Sequence, residues 1–230
     1  MQPTISKTDF VISDKRRWFV AFMVMSAIAL PVYWYLGLAF STTSTLFKFS
    51  YGAAAIASLM YATAFSMGSI SYYIGWPQMR WGYQKQIGLM AYIWSFVYAV
   101  TLVWLYPELY GSGLSEHFFS SDVILGLSAM VIFTAMVIVP SKRFAPQFSP
   151  ETIKFVLGLG FVAYALLVIR AINIEFDLWW QWLVTLEGYP PGRLVLSVIA
   201  LVVLLMRISI PIHLMFKKKE TSQGSLPTQK

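Results

Sequence analysis

Two histidines, His117 and His213, and no cysteine are the chain's supply of the usual nitrogen and sulfur metal ligands. The lack of Cys removes disulfides, thiolate metal sites, iron–sulfur ligation and Cys nucleophiles together. A b-type haem held within one chain needs two axial side chains, most often His with Met as the alternative, reaching one iron from opposite faces. Other residues with chemical potential lie within apolar text: Tyr98 in IGLMAYIWSFVYAV, Arg170 in LLVIRAINIE, Arg207 in LLMRISIPIH and Asp122 at the head of SDVILGLSAM. No His/Cys/Asp/Glu cluster has metal-ligand spacing, so no metal site is expected.

The elements that must carry these residues follow from composition. Of 230 residues, 58% are hydrophobic and 12% charged, against about 25% charged in an ordinary soluble domain. Six apolar runs, Trp18–Phe40, Tyr51–Gly75, Ile87–Tyr106, Asp122–Pro140, Ile153–Asn173 and Leu194–Phe216, are long enough to cross a hydrocarbon core about 30 Å thick. The first exceeds a signal-peptide h-region and lacks a clean cleavage site, so it reads as an uncleaved helix. The expected fold is all-α: a polytopic membrane protein with a bundle of six transmembrane helices. Its parts are an amino-terminal segment, 1–17, the transmembrane domain, 18–216, and a disordered basic and polar tail, 217–230.

Lys and Arg alternate from loop to loop. Lys7, Lys15, Arg16, Arg17, Arg80, Lys85, Lys142, Arg143 and Lys154 fall on one side with the triple Lys beginning at Lys217, while the other side has only Lys48, Arg193 and Arg170 beside Glu108, Glu116, Glu175, Asp177 and Glu187. The positive-inside bias then puts both termini in the cytoplasm. The net charge of +7 is loop-borne, which points to topology and anionic lipid and away from nucleic acid. On this topology His117 and His213 face opposite sides of the membrane, which excludes bis-His haem within the chain. Met60, Met67, Met90, Met130 and Met136 read as packing.

Local features carry narrower expectations. Ala54, Ser58, Ala62 and Ser66 form a small-residue stripe that reads as close packing inside the bundle, with a dimer seam as the alternative. Gly158 and Gly160 read the same way. EFDLWWQWLVTLEG, with Trp179, Trp180 and Trp182, reads as a short interfacial helix on the outer face, anchoring the chain or offering a quinone or lipid platform. Arg170 is expected to snorkel outward to Asn173, Glu175 and Asp177. Asp122 reads as a helix cap, which counts against a proton pump and leaves a carrier of neutral solutes open. Arg207 lies deeper and needs lipid phosphate, helix carbonyls or an anionic cofactor group as partner. Pro211 frees a carbonyl near it.

The stretch WPQMRWGYQKQIGLMAYIWSFVYAVTLVWL resembles the second loop and third helix of the ferric-reductase-like transmembrane domain family. PGRLVLSVIALVVLLMR, ending at Arg207, and TIKFVLGLGFVAYALLVIRAI are similar to its last and fifth helices, and the resemblance covers roughly residues 18 to 210. The family includes the membrane haem subunit of the bacterial methionine sulfoxide reductase system. The resemblance implies a haem-holding scaffold with an axial His about ten residues after the Gly88-Leu89 pair and two more on the fifth helix. Here those places hold Tyr98, Lys154 and Leu167, so the axial haem histidines are missing. Tyr98 is left with two readings: a hydroxyl bonded to a neighbouring helix, or a phenolate ligand to ferric haem as in catalase.

The resulting expectation is a multi-pass protein of the bacterial inner membrane, without bis-His b-type haem, acting as an accessory or binding subunit beside a membrane or periplasmic partner. The alternative is an oxidoreductase component using quinone, flavin or an unusually ligated haem, and the second alternative is a small neutral-solute carrier. Cofactor-binding candidates are Tyr98 and Arg207; no residue is assigned as catalytic.

Overall fold

Helix is the expected outcome wherever an apolar segment must satisfy its own backbone in hydrocarbon. A computed structural model describes residues 14–75 and 83–223, and the regular elements among them are all helical. The long helices are α1 (Asp14–Ala39), α2 (Thr45–Ile74), α3 (Gln84–Tyr110), α4 (Ser121–Ile138), α5 (Pro150–Thr185) and α6 (Gly192–Gln223). Single 3-10 turns lie at Leu114–His117 and Ala145–Gln147. All six helices are long and apolar enough to cross a membrane, so the protein is a multi-pass membrane protein of the expected class.

Sequence sets the helix ends. Ser44 caps α2 by accepting from Phe47 N at 3.1 Å, and Ser149 caps α5 by accepting from Thr152 N at 3.2 Å, with Pro150 at the first helical position. Gly75 ends α2 and Gly111 ends α3 in the left-handed conformation that favours glycine, with φ of 75° and 71°.

Helix α2 is the centre of the bundle. Its Ala53, Ile56 and Met60 are fully buried, and it packs against α1, α3 and α6. The Tyr164 hydroxyl of α5 donates to the Ser58 carbonyl of α2 at 3.0 Å, and Phe65 meets Phe161. The outer helices turn large apolar side chains outward, Leu30 and Trp34 at 74% and 72% exposed, as lipid-facing positions do. Of the small-residue stripe, Ala62 is buried in the core, and Ala54 and Ser58 border the interior of the bundle. Gly160 is a close approach, since a Cβ there would lie 2.5 Å from Met136 Cε and 2.9 Å from Phe65 Cζ, whereas Gly158 faces open space. Met60 is core and Met67 and Met90 pack against it.

The bundle has two ends. One, the near end, holds Asp14, Gln223, the last turn of α2 and the connection after α4; the far end holds the connections 40–44, 111–120 and 186–191. Tyr35 donates to the Pro190 carbonyl at 2.6 Å and ties α1 to the start of α6 at the far end.

The largest departures from the expected boundaries are at the ends of α5 and α6. The segment starting at Glu175 is not a separate interfacial helix; it continues α5, which runs 36 residues and about 54 Å at 1.5 Å per residue. Nothing between Asn173 and Thr185 breaks a helix, and Gly188 and Pro190 come only later. Helix α6 likewise continues past Phe216 to Gln223. Arg80 and residues 224–230 lie outside the described residues.

Candidate functional site

Helix periodicity puts Ser95, Tyr98 and Leu102 of α3 on one face, and that face borders a cavity of about 210 Å³ lined by α2 to α6. Tyr61 of α2 and Phe133 of α4 stack at 4.0 Å between centroids beneath it. The walls are mostly apolar, with Ala57, Ala129 and Val168 among them. Its polar groups gather towards the far end.

Asp122 and Arg170 form that polar group. Ser120, not Asp122, precedes the first residue of α4, and its hydroxyl lies 2.6 Å from the His117 carbonyl and 2.5 Å from Asp122 Oδ1. Asp122 stands inside the first turn, where its Oδ2 faces Arg170 Nη2 at 3.9 Å. Only 15% and 12% of the two side chains is exposed. The expectation that Arg170 snorkels outward to its own neighbours is thus corrected: it crosses sideways to α4. Gly126, one turn after Asp122, makes this crossing open, because a Cβ there would meet Arg170 Cζ and Nε at 3.4 Å. The same guanidinium lies 5.7 Å from the centroid of the Tyr98 ring and within reach of its hydroxyl.

A second pair closes the far end. Arg193, in the first turn of α6, bonds Glu175 of α5 at 3.0 Å and lies over the Tyr51 ring at 5.4 Å. Trp179 Nε1 donates to Glu175 Oε2 at 3.3 Å. Burial in a low dielectric strengthens such pairs and makes an unmatched charge expensive, so the four charges balance one another.

The sequence-derived candidates separate. Tyr98 is in the cavity. Arg207 is not: it lies about 21 Å along α6 from Arg193, with its guanidinium 5.1 Å from the centroid of Phe161. The Trp cluster does not border the cavity either; Trp179 is buried against Glu175, and Trp180 is 63% exposed. His117 Nε2 pairs with Ser112 Oγ at 2.8 Å at the far end, and His213 meets the Tyr72 ring towards the near end, so the two histidines do not converge. No group of three His, Cys, Asp or Glu capable of holding a metal occurs among the described residues. Sequence reasoning missed the role of Asp122, Arg170, Glu175 and Arg193 as a cross-helix cluster. Its signal was present as opposite charges at one end of three helices.

The places where the resemblance expects haem ligands on α3 and α5, Tyr98 and Leu167, both border this one cavity; Lys154 sits at the near end, in the first turn of α5. A b-type haem does not fit the residues present. The lining side chains with donor atoms for iron are Tyr61, Tyr98, Tyr164, Asp122 and Met130, of which Tyr98 lies under a guanidinium, Tyr164 is bonded to the Ser58 carbonyl and Asp122 is paired with Arg170; the volume also falls below the roughly 300–1,000 Å³ of ordinary cofactor pockets. Fold and site together define a six-helix membrane protein with an amphipathic internal cavity. The chain matches no protein-family model, and no curated protein is similar enough to count as a relative.

Proposed function

We propose that this protein is a membrane-embedded binding or accessory subunit built on a ferric-reductase-like scaffold, in which the cavity takes a lipid-soluble ligand in place of haem. One observation carries the reading: Tyr98 and Leu167 line a common cavity whose polar end is the Asp122–Arg170 pair. On this reading the two positions stay beside one cavity while the family's donors are replaced. The setting is a bacterial inner membrane with the near end cytoplasmic, supported by Lys15, Arg16, Arg17, Lys142, Arg143 and Lys154 at that end and by the acids at the other. A membrane or periplasmic partner receives or supplies the ligand.

The test is an optical spectrum of the purified, dithionite-reduced protein. The expected result is no Soret and alpha band pair approaching one haem per chain; such a pair overturns the reading. A second reading, an oxidoreductase component, has one observation in its favour. Arg170 supplies beside Tyr98 a fixed array of N–H donors that suits a reducible carbonyl. A Tyr98→Phe variant that removes a flavin or quinone signal from the purified protein would establish this second reading over the first.

A further inference from the structure

We infer that the cavity binds a neutral, carbonyl-bearing amphiphile that enters sideways from the lipid between α3 and α4. The inference rests on the binding reading above and names the ligand's chemistry and route.

The route follows from packing. Helices α2 and α3 lie closely together, as do α4 and α5, but α3 and α4 barely touch. A side-chain hydrogen bond between them joins Tyr92 to Thr134 at 3.1 Å, on the near-end side of the cavity. Above it, Leu127 borders the cavity and is also 45% exposed on the bundle surface. A side chain that faces both the interior and the lipid marks an opening. An amphiphile can therefore seat its head inside while its apolar body runs out between these helices.

The head group follows from charge. Arg170 and Arg193 are matched by Asp122 and Glu175 across 3.9 Å and 3.0 Å. An incoming anion would leave one negative charge unmatched in an apolar chamber, which low dielectric makes costly. An incoming cation meets the same objection with the sign reversed. A neutral acceptor meets neither. The Arg170 guanidinium carries five N–H donors in a fork, and its approach to Asp122 is longer than the 2.7–2.9 Å of a tight charge-assisted bond. A carbonyl oxygen lodged between Arg170 and Tyr98 can accept from both while the Asp122 pair persists. A ring carbonyl with an isoprenoid tail and a glycerol ester with an acyl chain share this chemistry.

The experiment uses the full chain in lipid nanodiscs with a monoacylglycerol carrying a diazirine on its acyl chain. Photolabelling is expected to saturate and to map to peptides around Leu102, Leu127 and Leu167. Competition by a short-chain benzoquinone and by unlabelled monoacylglycerol separates the two sources: whichever displaces label at lower concentration has the preferred head. Oleate, matched in chain but anionic, is expected to compete at least about tenfold less well. Tyr98→Phe should weaken binding several-fold, and the charge-neutral pair Asp122→Asn with Arg170→Gln by about tenfold or more. Leu127→Trp, at the opening and remote from the ion pairs, should slow labelling without loss of helicity, so it reports even if the double variant fails to fold. Unsaturable labelling, labelling spread over lipid-facing positions, indifference to Tyr98→Phe and Leu127→Trp, or oleate competing equally would each overturn the inference. Absence of haem together with absence of saturable labelling defeats this inference alone. A haem spectrum defeats the binding reading beneath it.

Discussion

The Asp122–Arg170 pair can be tested without knowing any ligand. At 3.9 Å and an effective dielectric near 20, two unit charges attract by about 4 kcal/mol, part of which offsets the cost of removing both from water. Deleting one partner of a buried pair typically costs about 3–5 kcal/mol, because the other charge stays behind unmatched. Asp122 tolerates this better than Arg170 would, since it lies in the first turn of α4, where the helix amino terminus favours an anion by about 0.3–1 kcal/mol. Arg170→Gln is accordingly expected to cost about 2 kcal/mol, Asp122→Asn about 3, and the double variant about 2.5. These values give a coupling of about 2.5 kcal/mol, near the upper part of the range for groups in contact. Reversible unfolding of the four proteins in mixed micelles, followed by far-ultraviolet circular dichroism, measures the cycle. Additivity within about 0.5 kcal/mol would refute the reasoning, because it would mean the two side chains do not sense one another.

Three further outcomes are expected. Gly160→Ala should cost about 1–3 kcal/mol by pushing a methyl against Met136 and Phe65, while Gly158→Ala, two residues away in open space, should be neutral or gain up to about 1 kcal/mol; thermal unfolding of the pair in one detergent checks the contrast. Tyr164→Phe, which removes the hydroxyl bonded to the Ser58 carbonyl, should lower stability by about 0.5–1.5 kcal/mol with no change in helix content. Arg207→Ala should lose about 0.5–2 kcal/mol from its stacking over Phe161 and leave photolabelling of the far-end cavity unchanged; reduced labelling would contradict the separation of the two sites.

Much of the fold was legible because the bilayer imposes it. Length and apolarity identify six helices without reference to any contact, and Ser44, Gly75, Gly111 and Ser149 mark helix ends locally. The extent of α5 was not legible, since Trp and acidic residues after Asn173 suit an interfacial helix and a continued one equally well. Tyr98 stood out through the resemblance and does lie in the cavity. Arg207 stood out by depth in its helix, yet its guanidinium lies over an aromatic ring of α5 and does not border the cavity.

Sequence alone determines the membrane class, the number of crossings and the want of converging histidines, because these depend on composition, run length and position along the chain. The ligand cavity, the crossing of Arg170 over Gly126 to Asp122, the pairing of Arg193 with Glu175 and the gap between α3 and α4 exist only once the helices have been packed. A charge in an apolar helix declares that it needs a partner. Which helix provides that partner depends on rotation and neighbour order, and these are set by close fits such as Gly160 against Met136 and Phe65, where the absence of one methyl group lets two helices meet.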